Sequence, residues 1–373
     1  MKVLFVVQGE GNGHLTQALT LEQMLRRAGH EVTAILVGQS EARRVPAFFL
    51  QRAQAPVRPF ASPQLRLGAA GRRACLLRSL GYQLARIGRV AQSVRYVYRQ
   101  IQESGADVVV NFYEAITGLT YGLLRPGVPL CCIAHQYYFL HPEAPLPPGA
   151  GRVQLAALRW FTWLTSVGAT QRLALSLQPL PPCPQRRVTV VPPLLRSEVR
   201  QLHPTAGHYV QGYMVNAGFA ADVRRWHERY PHVPLYFFWN AAAAGSEQRE
   251  DATLTFHGVD DQAFLQRLAG CRAYATTAGF ESVAEAMYLG KPVLMVPAHI
   301  EQECNAYDAV CCGAGIRADG FELDRLLEFV PTYRANRPFR RWADSAEYVI
   351  VAQIEAVCHR PAVWAQQTAG AGR

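Results

Sequence analysis

Two segments of the sequence carry residue types that could do chemistry. In the first, VLFVVQGEGNGHLTQ at residues 3–17, an apolar run ends in spaced glycines that include Gly11 and Gly13, and then presents His14. A neutral imidazole can take a proton from a hydroxyl, and general-base catalysis of this kind is typically worth about 10² to 10⁴ in rate. A helix beginning near Leu15 would turn its positive end toward a ligand. We therefore expect His14 to act as a catalytic base, with the two glycines letting the backbone approach a substrate.

The spacing of these glycines argues against a nicotinamide cofactor. A dinucleotide-binding loop has the form G-x-G-x-x-G, with an acidic residue about 20 positions later at the end of the second strand. Here His14 stands where the third glycine would be, and the second apolar run ends in LVGQS without an acid. An oxidoreductase that transfers hydride is therefore disfavoured.

The second segment, ATTAGFESVAEAMYLGKPVLMVPAHIEQECNA at residues 275–306, suits a diphosphate. An apolar strand runs into a tight turn at Gly279, and a helix follows with Glu285 one turn inside it. The hydroxyls of Thr277 and Ser282, the close backbone at Gly279 and the N–H groups of the helix start can all face phosphate oxygens. Glu285 could accept both hydrogen bonds of a ribose diol.

A carboxylate and an amide follow the next strand of this segment. Gly290 ends the helix, the strand PVLMVP comes after it, and Glu301 and Gln302 follow. Parallel strands bring their carboxyl ends to one edge of a sheet, so we expect this pair to return to the same site and to hold sugar hydroxyls.

At these residues the sequence resembles the inverting GT-B glycosyltransferases, the group that includes the UDP-glycosyltransferases and the lipid II glucosaminyl transferase. Their C-terminal signature has the form H-G-G-W-N-S-x-x-E-A, then G-x-P, then an acid–Gln pair after a strand. The positions in register are Gly279, Ser282, Glu285, Ala286, Gly290, Pro292, Glu301 and Gln302. The sequence departs from the signature at three positions, with Thr277 in place of His, Ala278 in place of Gly and Glu281 in place of Asn. The N-terminal loop of these families is similar to the stretch from Gly11 to His14.

The resemblance implies roles for these residues. His14 would deprotonate the acceptor hydroxyl, and Glu285 would bind the ribose. Phosphate would be bound by Thr277, Gly279 and Ser282. The donor sugar would be bound by Glu301 and Gln302, and Gly258 and Val259 lie where relatives pack the nucleobase. Gly11 and Gly13 of the first loop would also bind the donor.

Retaining relatives carry a second Glu at the position of Thr277, so inversion is the expected outcome. The family often orients its catalytic His with an acid near residues 107–114. Glu114, at the end of that strand, is the expected partner of His14. His135 and Gln136 follow another strand and are expected to contact the acceptor. No D-x-D motif is present, so we expect no metal and no cofactor, with the leaving group stabilised by helix dipole, hydroxyls and N–H donors.

Short apolar runs alternating with helical stretches predict the elements that position these residues. Continuous apolar strands followed by amphipathic helices are typical of a parallel sheet covered on both faces. After a proline-rich stretch at residues 179–194 the same pattern restarts. We therefore predict an α/β protein of GT-B fold, with two Rossmann-like doubly wound domains facing a cleft. Residues 1–192 form the acceptor-binding domain, residues 207–336 the nucleotide-sugar-binding domain, and helices in 337–373 pack back on the first.

Charge is unevenly distributed along the chain. Residues 1–200 hold 23 Lys and Arg against 9 Asp and Glu, whereas residues 201–373 hold 15 against 19. The arginine-rich helical pattern at 76–101 and the aromatic stretch RWFTW at 159–163 could be ordinary surface and core, or could meet an anionic membrane surface. No nucleic-acid-binding signature accompanies the basic half, so nucleic acid is not an expected partner. We expect a cytoplasmic protein, or one bound peripherally to the inner face of the membrane.

The sequence leaves the donor, the acceptor and two alternative functions open. The expected donor is a nucleoside diphosphate sugar, with uridine favoured by the resemblance. The acceptor could be lipid-linked, a glycan or a natural product. A sugar-nucleotide 2-epimerase of the same fold, or a non-catalytic protein that binds sugar nucleotides, are the alternatives, although the presence of His14 speaks against the second.

Overall fold

The computed structural model describes residues 1–40, 44–62, 87–239 and 245–363. It divides into two compact units. The first contains residues 1–144, 152–194 and 344–373, and the second contains 145–151 and 195–343. The boundaries expected from the sequence, 192 and 207, lie on either side of the division between Leu194 and Leu195. The N-terminal part of the helical pattern at 76–101, up to residue 86, lies outside the described residues.

The first unit is built on a seven-stranded parallel sheet with the order β3-β2-β1-β4-β5-β6-β7. Its strands are β1 Lys2–Gln8, β2 Glu31–Gln39, β3 Val57–Ala61, β4 Val108–Phe112, β5 Leu130–Ala134, β6 Gln171–Leu175 and β7 Val188–Val191. Its α-helices are α1 Gly13–Arg27, α2 Ala47–Arg52, α3 Ile87–Glu103, α4 Ala115–Leu124 and α5 Arg152–Leu164. Short 3-10 helices cover His135–Leu140 and Pro184–Arg186.

The second unit repeats this plan, with sheet order β10-β11-β9-β8-β12-β13-β14. Its strands are β8 Val210–Met214, β9 Leu235–Trp239, β10 Glu247–Arg249, β11 Leu254–Gly258, β12 Ala273–Thr276, β13 Val293–Met295 and β14 Gly315–Arg317. All neighbours are parallel except β10, which pairs antiparallel with β11 at the edge. The α-helices that follow Leu194 are α6 Ser197–Gln201, α7 Ala220–Arg229, α8 Asp261–Gly270, α9 Phe280–Tyr288, α10 Ile300–Cys311, α11 Leu323–Phe329, α12 Arg337–Asp344 and α13 Ala346–Cys358.

Burial explains why the central strands read as continuous apolar runs. Every residue of β4 and β5 is buried, as are Val3 to Val7 of β1, because helices cover both faces of the sheet. In the second unit a cluster around Phe237, Phe256 and Trp226 fills the space between the sheet and its helices. The order of each sheet reverses once, between β1 and β4 and between β8 and β12. Ligands of open α/β sheets bind beyond the carboxyl ends of strands at such switch points.

The last helices are divided between the two units. Helix α12 lies almost wholly in the second unit, whereas α13 belongs to the first and packs on α1, β4, β5 and β7. An ion pair of Arg27 with Glu347 at 2.8 Å and a hydrogen bond between His30 Nε2 and Glu355 Oε1 at 2.9 Å hold α13 there. Among the described residues no helix is both long and apolar enough to span a membrane.

Candidate active site

The loop between β1 and α1 packs tightly against the end of β2. Gly9 donates its N–H to the carbonyl oxygen of Gly38 at 2.8 Å, and a Cβ on Gly9 would lie only 2.4 Å from that oxygen. Gly11 has φ +81°, a conformation that favours glycine. The helix begins at Gly13, so His14 is its second residue. The glycines therefore allow a short turn that places the imidazole just beyond the strand end.

His14 is held in a defined orientation and is 8% exposed. Its Nδ1 lies 3.2 Å from Oε1 of Gln17, one turn along α1, and its ring stacks on Tyr113 with centroids 5.5 Å apart. In the neutral tautomer that donates from Nδ1 to this amide oxygen, Nε2 carries the lone pair. In that tautomer the imidazole can accept a proton at Nε2.

Tyr113 is held in an uncommon backbone conformation next to this histidine. Its φ is 61°, in the left-handed region that bulky residues rarely enter. The Asn111 side chain stabilises the turn, since its Oδ1 accepts from the Glu114 N–H at 3.0 Å and its Nδ2 donates to the Thr165 carbonyl at 2.7 Å. The Tyr113 hydroxyl lies 2.8 Å from Oγ1 of Thr162. The turn after β4 therefore fixes the ring that supports His14.

Glu114 lies beside this turn and is buried without a cation among its hydrogen-bond partners. β1 and β4 are neighbours, with Val7 opposite Phe112, so His14 and Glu114 follow adjacent strand ends. The carboxyl Oε1 accepts from the Ser62 hydroxyl at 2.6 Å and from the Ile116 N–H, which makes Glu114 the N-cap of α4. Burial raises the pKa of Glu114 to about 7, against the lowering effect of these hydrogen bonds. Its role as the partner of His14 stays a prediction.

His135 and Gln136 directly follow β5 and are both buried. Nδ1 of His135 lies 2.9 Å from the Leu175 carbonyl oxygen, and its ring packs on Tyr138 and Phe139. The backbone bond and the aromatic packing give His135 a structural role at the end of β6. Its contact with an acceptor stays a prediction.

The loop between β12 and α9 combines a buried hydroxyl with a strained backbone. Thr277 is fully buried, and its Oγ1 has no hydrogen-bond partner among the described residues. Ala278 has φ 61°, and its carbonyl oxygen accepts from Nδ2 of Asn305 at 3.2 Å. Gly279 caps α9, and the Ser282 hydroxyl bonds back to the Gly279 carbonyl at 3.2 Å. The loop thus presents a buried hydroxyl at the positive end of a helix.

Glu285 is 3% exposed and forms a bidentate ion pair with Arg196. Nε and Nη2 of Arg196 each lie 2.6 Å from one carboxylate oxygen, and Nη1 is 3.4 Å from Oδ1 of Asp261. Burial alone would lower the pKa of Arg196, but the charges and hydrogen bonds of Glu285 and Asp261 raise it above its ordinary value. The carboxylate expected to bind ribose is therefore fixed by a guanidinium within its own unit.

The predicted donor residues Gly11 and Gly13 lie in the first unit, whereas the remaining ones lie in the second. Glu301 is the second residue of α10, and Gln302 accepts from the Ala298 N–H through Oε1 at 2.9 Å. Gly258 ends β11, and Val259 precedes α8. The structure brings Thr277, Gly279, Ser282 and Glu285 together at the start of α9, and Asn305 links α10 to that loop.

Within the described residues no group of three or more His, Cys, Asp or Glu side chains is arranged to hold a metal ion. The expectation of a metal-independent reaction therefore stays a prediction.

Sequence reasoning missed four residues that the structure places at these sites. Gln17 and Tyr113 contact His14, Arg196 pairs with Glu285, and Asn305 bonds the carbonyl of Ala278 in the Thr277–Gly279 loop. Only Gln17 had a signal in the sequence, because a residue three positions after His14 on a helix shares its face. The others come from separate segments and could not be paired without the fold.

The folded chain resembles solved glycosyltransferases along nearly all of its length. The glycotransferase of kitacinnamycin shares 17% identity and superimposes with a TM-score of 0.63, covering 95% of this chain and 99% of the other. UGT89C1 of Arabidopsis thaliana, solved with UDP-L-rhamnose and with quercetin, gives TM-scores of 0.59 and 0.60 at 15% identity, covering 96% of this chain and 99% of that one. These likenesses establish the GT-B fold.

Sequence comparison places the chain in a family. The profile of glycosyl transferase family 1 matches residues 1–333. An uncharacterized glycosyltransferase of Methanosarcina acetivorans is 25% identical over 352 residues, which are 85% of this chain and 83% of that protein. The chain belongs to glycosyl transferase family 1, and the sequence-based prediction of a glycosyltransferase is confirmed.

Proposed function

We propose that this glycosyltransferase moves a sugar from a uridine diphosphate sugar to an acceptor hydroxyl, with inversion and without a metal. The loop Thr277–Gly279 carries the donor side of the proposal. A buried, unpartnered hydroxyl at the N-terminus of a helix is suited to a phosphate oxygen, and it is costly to leave unbonded. The Arabidopsis relative of the same fold was solved with UDP-L-rhamnose, which supports a uridine nucleotide.

The proposed reaction is a single in-line displacement. The acceptor O–H gives its proton to Nε2 of His14 as the oxygen attacks the anomeric carbon, and the bond from that carbon to the diphosphate oxygen breaks. The Thr277 and Ser282 hydroxyls and the dipole of α9 stabilise the charge that develops on the leaving diphosphate. Glu285 binds the ribose, and Glu301 and Gln302 bind the sugar.

The orientation of His14 supports its role as the base. The Gln17 amide oxygen beside Nδ1 favours the tautomer with its lone pair on Nε2, and Tyr113 restricts the ring from one face. A residue that only capped the helix would not need both contacts. Glu114, with its pKa raised to about 7, can gain or lose a proton near neutrality and is the proposed partner acid. Because Gln17 lies at Nδ1 of His14, Glu114 would act on the imidazole through its charge and not through a hydrogen bond at that nitrogen.

The direct test is a donor panel read by release of nucleoside diphosphate. The wild-type chain is incubated with UDP-sugars and other nucleoside diphosphate sugars, with and without acceptors of three classes: quercetin-like phenols, oligosaccharides and polyprenyl-linked glycans. We expect diphosphate release that depends on an acceptor, and His14→Ala should reduce kcat about 10³-fold while UDP affinity stays within twofold.

Other outcomes of the same assay would reject the proposal. Isomerised sugar with no diphosphate would indicate epimerisation, and UDP-sugar binding with no turnover by any acceptor would indicate a binding protein. Gln17→Leu is the matched variant, since it keeps the imidazole but removes the bond that sets its tautomer. We expect a smaller loss of kcat than for His14→Ala, with the optimum pH shifted.

We also propose that the first unit associates with an anionic membrane surface. Helix α5 exposes Trp160, Trp163 and Val153, begins with Arg152 and contains no acidic residue. Exposed tryptophans beside arginines suit the interface of a bilayer. Co-sedimentation with vesicles containing phosphatidylglycerol, but not with neutral vesicles, is expected, and it should be lost in the variant Trp160→Ala/Trp163→Ala. Equal sedimentation of that variant would reject the assignment.

A further inference from the structure

A polar cavity lies in the first unit, where the strands β6 and β7 begin. Its volume is about 180 Å³. The lining residues are Thr170, Gln171, Pro184, Arg187, Arg360 and Val363. Thr170 directly precedes β6 and Arg187 directly precedes β7, so the cavity is at the amino ends of these strands, whereas His14 and Glu114 follow the carboxyl ends of β1 and β4. The cavity is therefore separate from the residues proposed for catalysis.

The cavity is lined by cations whose charges no described carboxylate neutralises. Arg187 donates through Nη1 to the Ala169 carbonyl at 3.2 Å, and Arg360 donates through Nη1 to Oε1 of Gln171 at 3.3 Å. Both partners are neutral acceptors. Within the described part of the chain neither arginine forms a salt bridge. Each guanidinium has five N–H donors in total, so most of its donors are not used by these bonds.

A third arginine, Arg172, directly follows Gln171 of the lining and adds positive charge to this region. Arg172 donates to the Ser166 hydroxyl through Nε and to the Arg186 carbonyl through Nη1, each at 2.7 Å. It too forms no salt bridge with a described residue. Burial lowers the pKa of Arg172, and the neighbouring charge of Arg187 lowers it further. The positive charges of Arg172, Arg187 and Arg360 in one region favour a site that binds an anion.

The neutral groups of the lining suit the same kind of ligand. Thr170 and Gln171 are 6% and 8% exposed. Thr170 Oγ1 accepts a long bond from the Leu130 N–H at 3.4 Å, which leaves its hydroxyl proton available to an oxygen in the cavity. Pockets for drug-sized ligands run from about 300 to 1,000 Å³, so this cavity suits a small ion rather than a nucleotide. Planar guanidinium groups match the oxygens of a phosphate well.

We propose that this cavity binds one small tetrahedral oxyanion, of which inorganic phosphate is the simplest, between Arg187, Arg360 and the Thr170 hydroxyl. Arg360 lies two residues after the end of α13, and α13 packs on the sheet of the first unit. A bound anion would join the end of this helix to the starts of β6 and β7. It would therefore stabilise the docking of the C-terminal helix, at a distance from the chemistry.

The test uses the full chain and inorganic phosphate as the probe. Binding is measured by isothermal titration calorimetry, and thermal unfolding is followed in phosphate and in sodium chloride at equal ionic strength. We expect one phosphate per chain and a rise in Tm of about 3 to 5 °C at saturation. Arg187→Gln/Arg360→Gln should bind phosphate at least tenfold more weakly and lose the rise. Arg360→Gln alone, at an exposed position, should give the same direction if the double variant does not fold.

A matched variant and an unrelated ligand separate this site from a general charge effect. Arg95→Gln/Arg99→Gln removes two exposed arginines of α3 that do not line the cavity, and it should keep both the binding and the Tm rise. UDP affinity should be the same in all these variants, so failure here is distinguishable from failure of the proposed catalytic function. The proposal is overturned if phosphate neither binds nor protects the wild type, or protects all variants equally.

Discussion

Each unit of the molecule buries a glutamate close to the start of a helix at its switch point, and the two are kept there by different means. Glu114 has a serine hydroxyl and a backbone N–H as its hydrogen-bond partners, and its pKa rises to about 7. Glu285 has an arginine, with both carboxylate oxygens 2.6 Å from guanidinium nitrogens. A buried carboxyl without a cation favours its protonated form, whereas a guanidinium that bonds both oxygens of a buried carboxylate fixes their position.

The difference suits two kinds of chemistry. Glu114 can exchange a proton near neutral pH, which would suit the predicted partner of a histidine that acts as a base. Glu285 presents oxygens of fixed position, which is useful for recognising hydroxyls that do not react. The same residue type is thus specialised by its neighbours, and those neighbours come from distant segments, Ser62 for the first and Arg196 for the second.

Removing the cation from the second glutamate should give the largest effect on stability. Arg196→Met leaves the Glu285 carboxylate buried without its partner, which we expect to lower the free energy of unfolding by about 3 to 5 kcal/mol. Urea unfolding followed by tryptophan fluorescence measures this loss. Arg196→Met/Glu285→Gln should recover most of it, because no charge remains at the buried position 285, and Asp261, which also loses Arg196, is 19% exposed and reaches solvent.

A surface ion pair provides the matched control for this comparison. Arg325 pairs with Glu322 at 2.8 Å, and both side chains are almost half exposed. Arg325→Met should change the free energy of unfolding by less than about 1 kcal/mol. Equal losses for Arg196→Met and Arg325→Met would mean that the burial of Glu285 is not what makes its partner necessary.

The first glutamate should make stability depend on pH. Its pKa in the folded chain, about 7, is above the ordinary value of 4.5, so the folded protein holds a proton that the unfolded chain releases between these values. The free energy of unfolding should therefore fall as pH rises from about 4.5 to 7, by at most about 3 kcal/mol, and this contribution should be constant above. Unfolding in urea across this pH range measures the slope.

Glu114→Gln should remove this slope while keeping the shape of a side chain that packs against Gly38, where an added Cβ would lie only 2.1 Å from Oε2 of Glu114. The variant is expected to be more stable than the wild type at pH 8 and similar to it at pH 4.5. Glu31→Gln, at an exposed position of β2, should leave the slope unchanged. A slope that persists in Glu114→Gln would assign the titration to another group.

The sequence predicts the strands and helix starts that position the two glutamates better than it predicts their side-chain contacts. The continuous apolar strands β1, β4, β5 and β12 and the helix starts near Leu15 and Phe280 are predicted by the patterns of apolar residues and glycines, and the first helix begins two residues earlier, at Gly13. β6 could not, because Arg172 interrupts its apolar run, although the arginine turns out to bond Ser166 and a carbonyl rather than water. Arg196, Tyr113 and Asn305 act across 89, 99 and 27 positions of sequence, and no local pattern encodes such pairings.

The loop that leads to Glu285 allows a sharper test of ligand binding. Thr277→Val keeps the shape of the side chain but removes a buried hydroxyl that has no described partner. If the hydroxyl bonds phosphate as proposed, we expect the free protein to become more stable by about 1 kcal/mol and UDP to bind about tenfold more weakly. Urea unfolding and calorimetric titration with UDP measure the two opposite changes.

The control for this variant is a buried threonine whose hydroxyl is bonded in the protein. Thr120 donates to the Ile116 carbonyl at 2.8 Å. Thr120→Val should lower stability or leave it unchanged, with UDP affinity unaffected. If Thr277→Val instead lowers stability and leaves UDP binding intact, its hydroxyl has no part in the phosphate site.

The smallest expected effect concerns the backbone of the same loop. Ala278 has φ 61°, where a Cβ crowds the following carbonyl at a cost of about 1 to 2 kcal/mol, whereas glycine enters this region freely. Part of that gain is offset by the greater freedom of glycine in the unfolded chain, so Ala278→Gly should raise the free energy of unfolding by less than about 1 kcal/mol. Ala284→Gly, inside α9, should lower it by about 1 kcal/mol. If both variants lose stability equally, the packing of the buried Ala278 methyl group outweighs the backbone strain at this position.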